Sequence, residues 1–587
     1  MPTAGWTTTA ATGLLVSGTS AEASSTPGRL GVIDHDVAVI DAATGGVSYI
    51  EGLMNLCMAI GVNPATGDVS VAGTEALNHV RFEPNVNGIF VRSHLAIASP
   101  GTGGGTGAPP LIADLNPHLD YATPTIAEAE RERSLGDPRA VAWAADGSLA
   151  YVAGLGSANI VSVDATGARV GSPETIEVGD GPTGLALDES RGRLYSLNRF
   201  DASVSAVDTA SRLEIARVAF HDPTPEDVKE GRHYIFDSHL TSGLGQASCA
   251  SCHVDARTDR LSWDLGDPSG AVKALGPQHN LGASLPIVGD PDDFTDFHPM
   301  KGPMLTQTLQ DIIGQEPHHW RGDRDGIEEF NGAFMSLLGD DELLDDEDMA
   351  EMKAYLQSIY LPPNPFRNLD NSLAESVPLP GQFKSGRFGG EGDPLPSGNA
   401  RRGFDASYRP LARGIDRGLF ACATCHTLPT GGGTDTVAVF LDGQQLPIFE
   451  PIAPGPNGER HHALISVDGS SQRAFKIAQL RTLYDRVGFD TTQPRSRAAL
   501  VPARRLGRFA RPFLQRARLQ PEPRPGDRRP RRPDDVVQRL RLRSVQRGDR
   551  GARHAEPGCA CGGRRAGHAG CGGRRRRRAA SPAPRPR

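Results

Sequence analysis

Long apolar runs are missing from this 587-residue chain. No stretch approaches the roughly 18 consecutive apolar residues that a membrane-crossing helix needs, so no transmembrane span is expected. Met1 to Ser25 lack a basic leading segment, and their one apolar stretch, Leu14-Leu15-Val16, is too short to read as an export signal. Positive charge is scarce over most of the chain: residues 1–490 hold 34 basic and 64 acidic residues, a net of -30. Such a body repels nucleic acid and steers a small basic partner, such as a soluble electron donor or acceptor. Cysteine is scarce too. Four of the eight lie in two Cys-x-x-Cys-His pentapeptides, and three (Cys559, Cys561, Cys571) lie near the C-terminus. Cys57 stands alone in an apolar stretch, where a buried free thiol is expected.

Lysine is missing from residues 491–587, which carry 28 Arg against six acids. A nucleic-acid or membrane-binding arm is one reading of such a tail. Basic arms mix the two cations, however, and Arg, Pro, Gly and Ala together are what a GC-rich gene yields out of frame. The change is abrupt after the well-patterned stretch Phe475 to Phe489. One back-translation of Leu500 to Phe509 (LVPARRLGRF), shifted by a base, gives WFLHDGSVDS. The tail is therefore read as a disordered, out-of-frame segment.

Two stretches repeat 44 residues apart, Pro138 to Asp164 and Pro182 to Asp208. Each has an alternating strand, an Asp/Gly turn, a Tyr-containing strand, a polar link and a strand ending Val-Asp. A period of about 40–50 residues with short strands is the mark of β-propeller blades; a β-sandwich is the alternative. Weaker echoes lie at Val37 to Asp41 and Ile60 to Gly73, and Ser99 to Pro110 reads as a flexible insertion. The blades resemble the YVTN-type propellers, whose hallmark strand is approximated by Ala150-Tyr151-Val152-Ala153. Residues 1–220 hold about five units, so a propeller whose first blades are cut by a late start is expected.

The pentapeptides Cys249-Ala-Ser-Cys252-His253 and Cys422-Ala-Thr-Cys425-His426 carry the chemistry. Thioether attachment of haem needs two thiols presented by one helical turn and a following His whose imidazole reaches the iron. A zinc site from both Cys pairs and a thioredoxin-like dithiol are the alternatives, but neither explains a His after each pair. The expected cofactors are thus two covalent c-type haems, with Cys249, Cys252, Cys422 and Cys425 as attachment points and His253 and His426 as iron ligands. Nothing in the sequence supports a calcium site. Helical patterns run from Pro225 to Phe236, from Leu343 to Ile359 before Pro362-Pro363, and from Gly414 to Phe420.

Over Phe220 to Phe489 the chain resembles the bacterial di-haem cytochrome c peroxidase superfamily, which includes the di-haem oxidase that matures a tryptophan-derived quinone. The two haem sites, Lys301-Gly302-Pro303, Trp320-Arg321-Gly322-Asp323-Arg324 and Phe475-Lys476-Ile477-Ala478-Gln479-Leu480-Arg481 carry the resemblance. In relatives the last piece is followed by Phe-His-Asp-Gly, and the shifted frame offers the similar Phe-Leu-His-Asp-Gly. The resemblance implies a first haem that reacts with peroxide and a second that feeds it electrons. It also implies an inter-haem electron relay at Trp320, although Arg321 replaces the usual Asp. A distal ligand at His298, with Met300 as its rival, is implied as well. Asp340 and Asp341 fall where relatives carry a distal carboxylate, without a matching context.

The expected architecture is multidomain. An all-β propeller (1–220) precedes two mainly α-helical cytochrome c-type domains (221–366 and 367–490) and the tail (491–587). The expected function is oxidoreduction of peroxidase type, reducing hydrogen peroxide or oxidising an external substrate. A non-catalytic electron-transfer cytochrome with a propeller docking domain is one alternative. A propeller ligand-binding protein with redox-sensing haems is the other. Haem attachment outside the cytoplasm implies a periplasmic or otherwise exported location.

Overall fold

The computed structural model describes residues 6–8, 15–17, 36–100, 109–273, 298–364, 366–379, 390 and 392–405. Beyond these it describes 422, 426, 436–439, 448–451, 464–465, 475–477 and 479–481. The chain divides into Met1–Leu519 and Gln520–Arg587, and every described residue lies in the first unit. The expectations for 491–587 and for the Gly414 to Phe420 helix fall outside the described residues.

The N-terminal region is all-β. Two hairpins, β1 (Trp6–Thr8) with β2 (Leu15–Ser17) and β3 (Val37–Ile40) with β4 (Val47–Ile50), precede three four-stranded antiparallel sheets. The first sheet joins β5 (Leu56–Val62), β6 (Val69–Ala76), β7 (Val91–Ala98) and β8 (Leu111–Asp114). The second joins β9 (Pro138–Trp143), β10 (Leu149–Gly154), β11 (Asn159–Asp164) and β12 (Arg169–Glu177). The third joins β13 (Pro182–Asp188), β14 (Arg193–Asn198), β15 (Ser203–Asp208) and β16 (Leu213–Ala219).

The 44-residue repeat is visible as register. Leu149 faces Asp164 and Tyr151 faces Ser162 in one sheet; Arg193 faces Asp208 and Tyr195 faces Ala206 in the next. The Asp146-Gly147 turn joins β9 to β10, with Ser148 N–H donating to Asp146 Oδ1 (2.9 Å) and Gly147 at φ 70. In the third sheet Asp188 caps the equivalent turn, and Gly192 leaves it at φ 59.

Strands of the middle sheet are apolar on both faces because both faces are covered. Ala150, Val152, Val161 and Val163 pack with Ala72 and Leu95 of the first sheet. Tyr151, Ala153 and Ile160 pack with Leu194 and Val207 of the third. Period-2 alternation sends neighbouring residues to opposite faces, so an unbroken apolar run marks a strand buried on both sides. This sheet-rich arrangement fits the β-propeller expectation. Cys57 corrects the sequence reading: it is exposed, because alternation along β5 turns it outward.

Among the described residues, helix is sparse after residue 220. Only two described helices exceed ten residues, Glu226–Phe236 and Asp346–Gln357. They match the expected segments, Pro225 preceding the first and Asp345 capping the second by accepting from Glu347 and Asp348 N–H (2.9 Å each). The helices pack together at Gly231, where an added Cβ would collide with the Glu351 carbonyl oxygen. The other described residues of 221–366 form mostly short helical turns and irregular chain, so a mainly helical domain is not shown there. For 367–490 the described elements are a four-residue helix, Ala400–Gly403, and two short strand pairs, β19 (Thr436–Val439) with β20 (Ile448–Pro451) and β21 (Leu464–Ile465) with β22 (Phe475–Lys476). Earlier, β17 (Ser262–Trp263) pairs with β18 (Met304–Leu305).

The largest core does not respect residue 220. Ala76, Val86, Phe90 and Val91, from the β6–β7 connection and its borders, pack with Phe236, Trp263, Phe334, Met352 and Leu356. Arg131 reaches across as well, donating to Asp340 Oδ1 (3.2 Å) and Asp341 Oδ1 (2.8 Å). Asp340 and Asp341 therefore tie the sheets to the later segment and do not line the cavity described next.

Candidate functional site

Cys249–Ser251 form a tight turn opened by a reciprocal cap, with Ser248 accepting from Ala250 N–H (3.2 Å) and Ser251 Oγ accepting from Ser248 N–H (3.0 Å). His253 N–H donates back to the Cys249 carbonyl (3.0 Å), closing one helical turn over the pentapeptide. Both thiols are free, and both line a cavity of about 580 Å³ together with His253. That volume lies within the range of about 300–1,000 Å³ usual for cofactor sites.

The His253 Nδ1–H donates to the Gln307 carbonyl (2.7 Å). A carbonyl only accepts, so the proton sits on Nδ1 and the Nε2 lone pair is left for a metal. Burial pushes the imidazole pKa down to about 4 despite that hydrogen bond, keeping the ring neutral at physiological pH. Burial also pushes the Cys249 thiol up to about 12 and raises Cys252. Apolar walls come from Phe90, Trp263, Ile327, Phe334 and Leu356. Two free thiols, a neutral His with its Nε2 available and an apolar cavity of this size fit a covalently attached haem.

Distant segments converge on this cavity. Lys301, Gly302, Trp320, Asp323, Arg324, Lys476, Ile477 and Gln479 all line it, so three further pieces of the resemblance meet the first Cys-x-x-Cys-His site. Trp320 is buried, its Nε1–H donating to the Leu305 carbonyl (2.6 Å) and its own carbonyl accepting from Lys476 N–H (2.8 Å). Lys476 Nζ donates to the Pro317 carbonyl (2.7 Å), fastening the late segment to the loop that carries Trp320. Arg321 is fully buried and donates to the His298 carbonyl (2.7 Å).

The two residues expected as distal ligands are not brought to the cavity. His298 is exposed, its Nδ1 accepting from Met300 N–H (3.1 Å), and it lines a smaller adjoining cavity of about 410 Å³. Met300 lines neither cavity. Arg321 holds this segment by its backbone, donating to the His298 and Met300 carbonyls.

The sequence reading missed His319, which precedes the Trp320 motif. Its Nδ1–H donates to Asp323 Oδ1 (3.0 Å), and its accessible surface opens onto the cavity. Burial would raise the Asp323 carboxyl, but His319, Lys301 and Arg324 hold it well below the usual carboxylate range. An i, i+4 His–Asp spacing was the one signal available, and it is common on surfaces. At the second site His426 N–H donates to the Cys422 carbonyl (2.8 Å), the same one-turn closure as at the first. Cys425 lies outside the described residues. Among the described residues, no group of three or more His, Cys, Asp or Glu side chains is placed to hold a bare metal ion.

No protein-family model and no curated protein matches the chain. Solved structures match it in part. Hydrazine synthase of Kuenenia stuttgartiensis is 18% identical with a TM-score of 0.24, over 31% of this chain and 54% of that one. A nidogen/laminin complex is 16% identical with a TM-score of 0.22, over 32% and 56%. The periplasmic gluconolactonase of Pseudomonas aeruginosa is 12% identical with a TM-score of 0.24, over 34% and 54%. The chain thus spans little more than half the length of each of these three structures. No helix among the described residues is long and apolar enough to cross a membrane.

Proposed function

We propose that this chain is an exported c-type cytochrome with two covalent haems, an oxidoreductase of di-haem peroxidase type preceded by a β-propeller. One observation carries the reading. Cys249, Cys252 and His253 share one cavity, and the Gln307 carbonyl leaves His253 in the metal-binding tautomer. The haem supplies one-electron chemistry when bound. The chain's own contribution is to clasp the macrocycle between apolar walls and to fix the His253 ring. Trp320 is the residue proposed as the relay to the second site, a role supported by its burial in the cavity wall and its hydrogen bond to the late segment. Electrons from a soluble donor, drawn by the acidic body, then reduce peroxide, each molecule taking two electrons and two protons to give two waters.

A second reading, an electron-transfer cytochrome without catalysis, is favoured by His319, a second imidazole in the same cavity. The test is expression of the full chain in a host that matures c-type haems, with haem counted by the pyridine haemochrome spectrum. Cys249→Ala with Cys252→Ala is expected to lose one covalent haem, and the parent is expected to turn over hydrogen peroxide with a reduced donor. A parent without covalent haem overturns the haem reading. A haem-loaded parent inert to peroxide selects the electron-transfer reading.

A further inference from the structure

Residues 318–324 form a closed loop whose ends are bridged by His318 N–H donating to the Arg324 carbonyl (2.6 Å). Within it His319 has φ 64 and Gly322 φ 66. A left-handed backbone suits Gly but costs a side-chain-bearing residue on the order of 1 kcal/mol, and such strain collects at functional positions. Here it turns His319 into the cavity that His253 lines. The two imidazoles are prepared alike. His253 gives its Nδ1–H to the Gln307 carbonyl, and His319 gives its Nδ1–H to the Asp323 carboxylate. Each keeps Nε2 as its metal-binding nitrogen, and a carboxylate behind a ligating His is the stronger of the two supports.

The structure assigns His319 as the second protein ligand of the haem iron at the first site, with Asp323 as its positioning residue. This rests on the reading that haem is attached at Cys249 and Cys252, and of the two functional readings it favours electron transfer, because two protein ligands leave that iron no open position for peroxide. His318 shares the cavity, but its Nε2 faces the Glu316 carboxylate (3.6 Å) and its backbone is held in the loop bridge. Met304 and Lys301 also line the cavity, but the Lys301 ammonium interacts with Asp323 and has no lone pair to offer a metal, and a thioether has no N–H by which a partner could fix it as Asp323 fixes the His319 ring.

The test uses the full haem-loaded chain and ferric electron paramagnetic resonance. The parent is expected to show the first haem as low-spin with two imidazole ligands. In His319→Ala one haem of the two converts to high-spin, and added imidazole restores the low-spin signal. His298→Ala and His318→Ala leave the signal unchanged. In Asp323→Asn the ligand stays, but the potential of that haem rises because the imidazole loses its anionic support. Should His319→Ala lose haem, His319→Met serves instead, and a shift to a His/Met spectrum is expected. A first haem already high-spin in the parent, or a low-spin signal that neither His319 variant alters, overturns the assignment. Absence of haem from the Cys249–His253 peptide by mass overturns the proposed function itself.

Discussion

At the scale of single residues, buried hydrogen bonds decide which groups are charged. Asp259 is almost fully enclosed, accepting from Trp263 Nε1–H (2.8 Å) and Leu261 N–H (2.9 Å), and burial raises its pKa from 3.8 to about 6. Its folded pKa lies above its unfolded one, so the acid form stabilises the fold below pH ~4. That stabilisation is lost as pH rises through about 6. Asp259→Asn, which mimics the protonated acid, is expected to flatten the pH dependence of unfolding between pH ~4 and ~6. The change is on the order of 3 kcal/mol and is read by urea titration across that window. At this scale the sequence showed the Cys-x-x-Cys-His ligands plainly, because their chemistry is written in adjacent residues. It did not show Gln307, whose contribution is a backbone carbonyl that any residue could supply.

At the scale of elements, strands and helices followed their patterns, while the crossing of the two long helices rests on one small residue. Gly231→Ala is expected to lower stability by about 2 kcal/mol or more, because the Glu351 carbonyl occupies the space a methyl would need. Gly332→Ala, in a helical turn with nothing within 4 Å of the new methyl, is expected to be neutral or to gain up to about 1 kcal/mol. Thermal unfolding of the two variants separates close packing from helix propensity. The sheet repeats were legible because their Asp/Gly turns and alternation recur 44 residues apart. The exposure of Cys57 was not, since an apolar stretch does not say which of its residues alternation turns outward.

At the scale of the whole molecule, sheets and later segment share one core and one buried ion pair. Arg131 and Asp340 are both nearly inaccessible, so removing the cation leaves a carboxylate stranded out of water. Arg131→Met is expected to destabilise the protein by about 3 kcal/mol. The double variant Arg131→Met with Asp340→Leu should recover much of the loss. Denaturant unfolding followed at both tryptophan fluorescence and haem absorbance checks this; an unchanged midpoint in the single variant counts against a buried tie.

The sequence by itself determined the strands of the repeated sheets, the two longer helices and the cysteine–histidine pairs. Each of these is a local pattern within one period or one turn. Only the tertiary structure brought Phe90, Gln307, His319 and Lys476 to a common cavity. Phe90, Gln307 and His319 sit on irregular chain and Lys476 on a two-residue strand, so no periodicity relates them, and their meeting depends on long-range packing of the shared core. The tertiary structure likewise left His298 exposed and outside that cavity, with its carbonyl held by the buried Arg321.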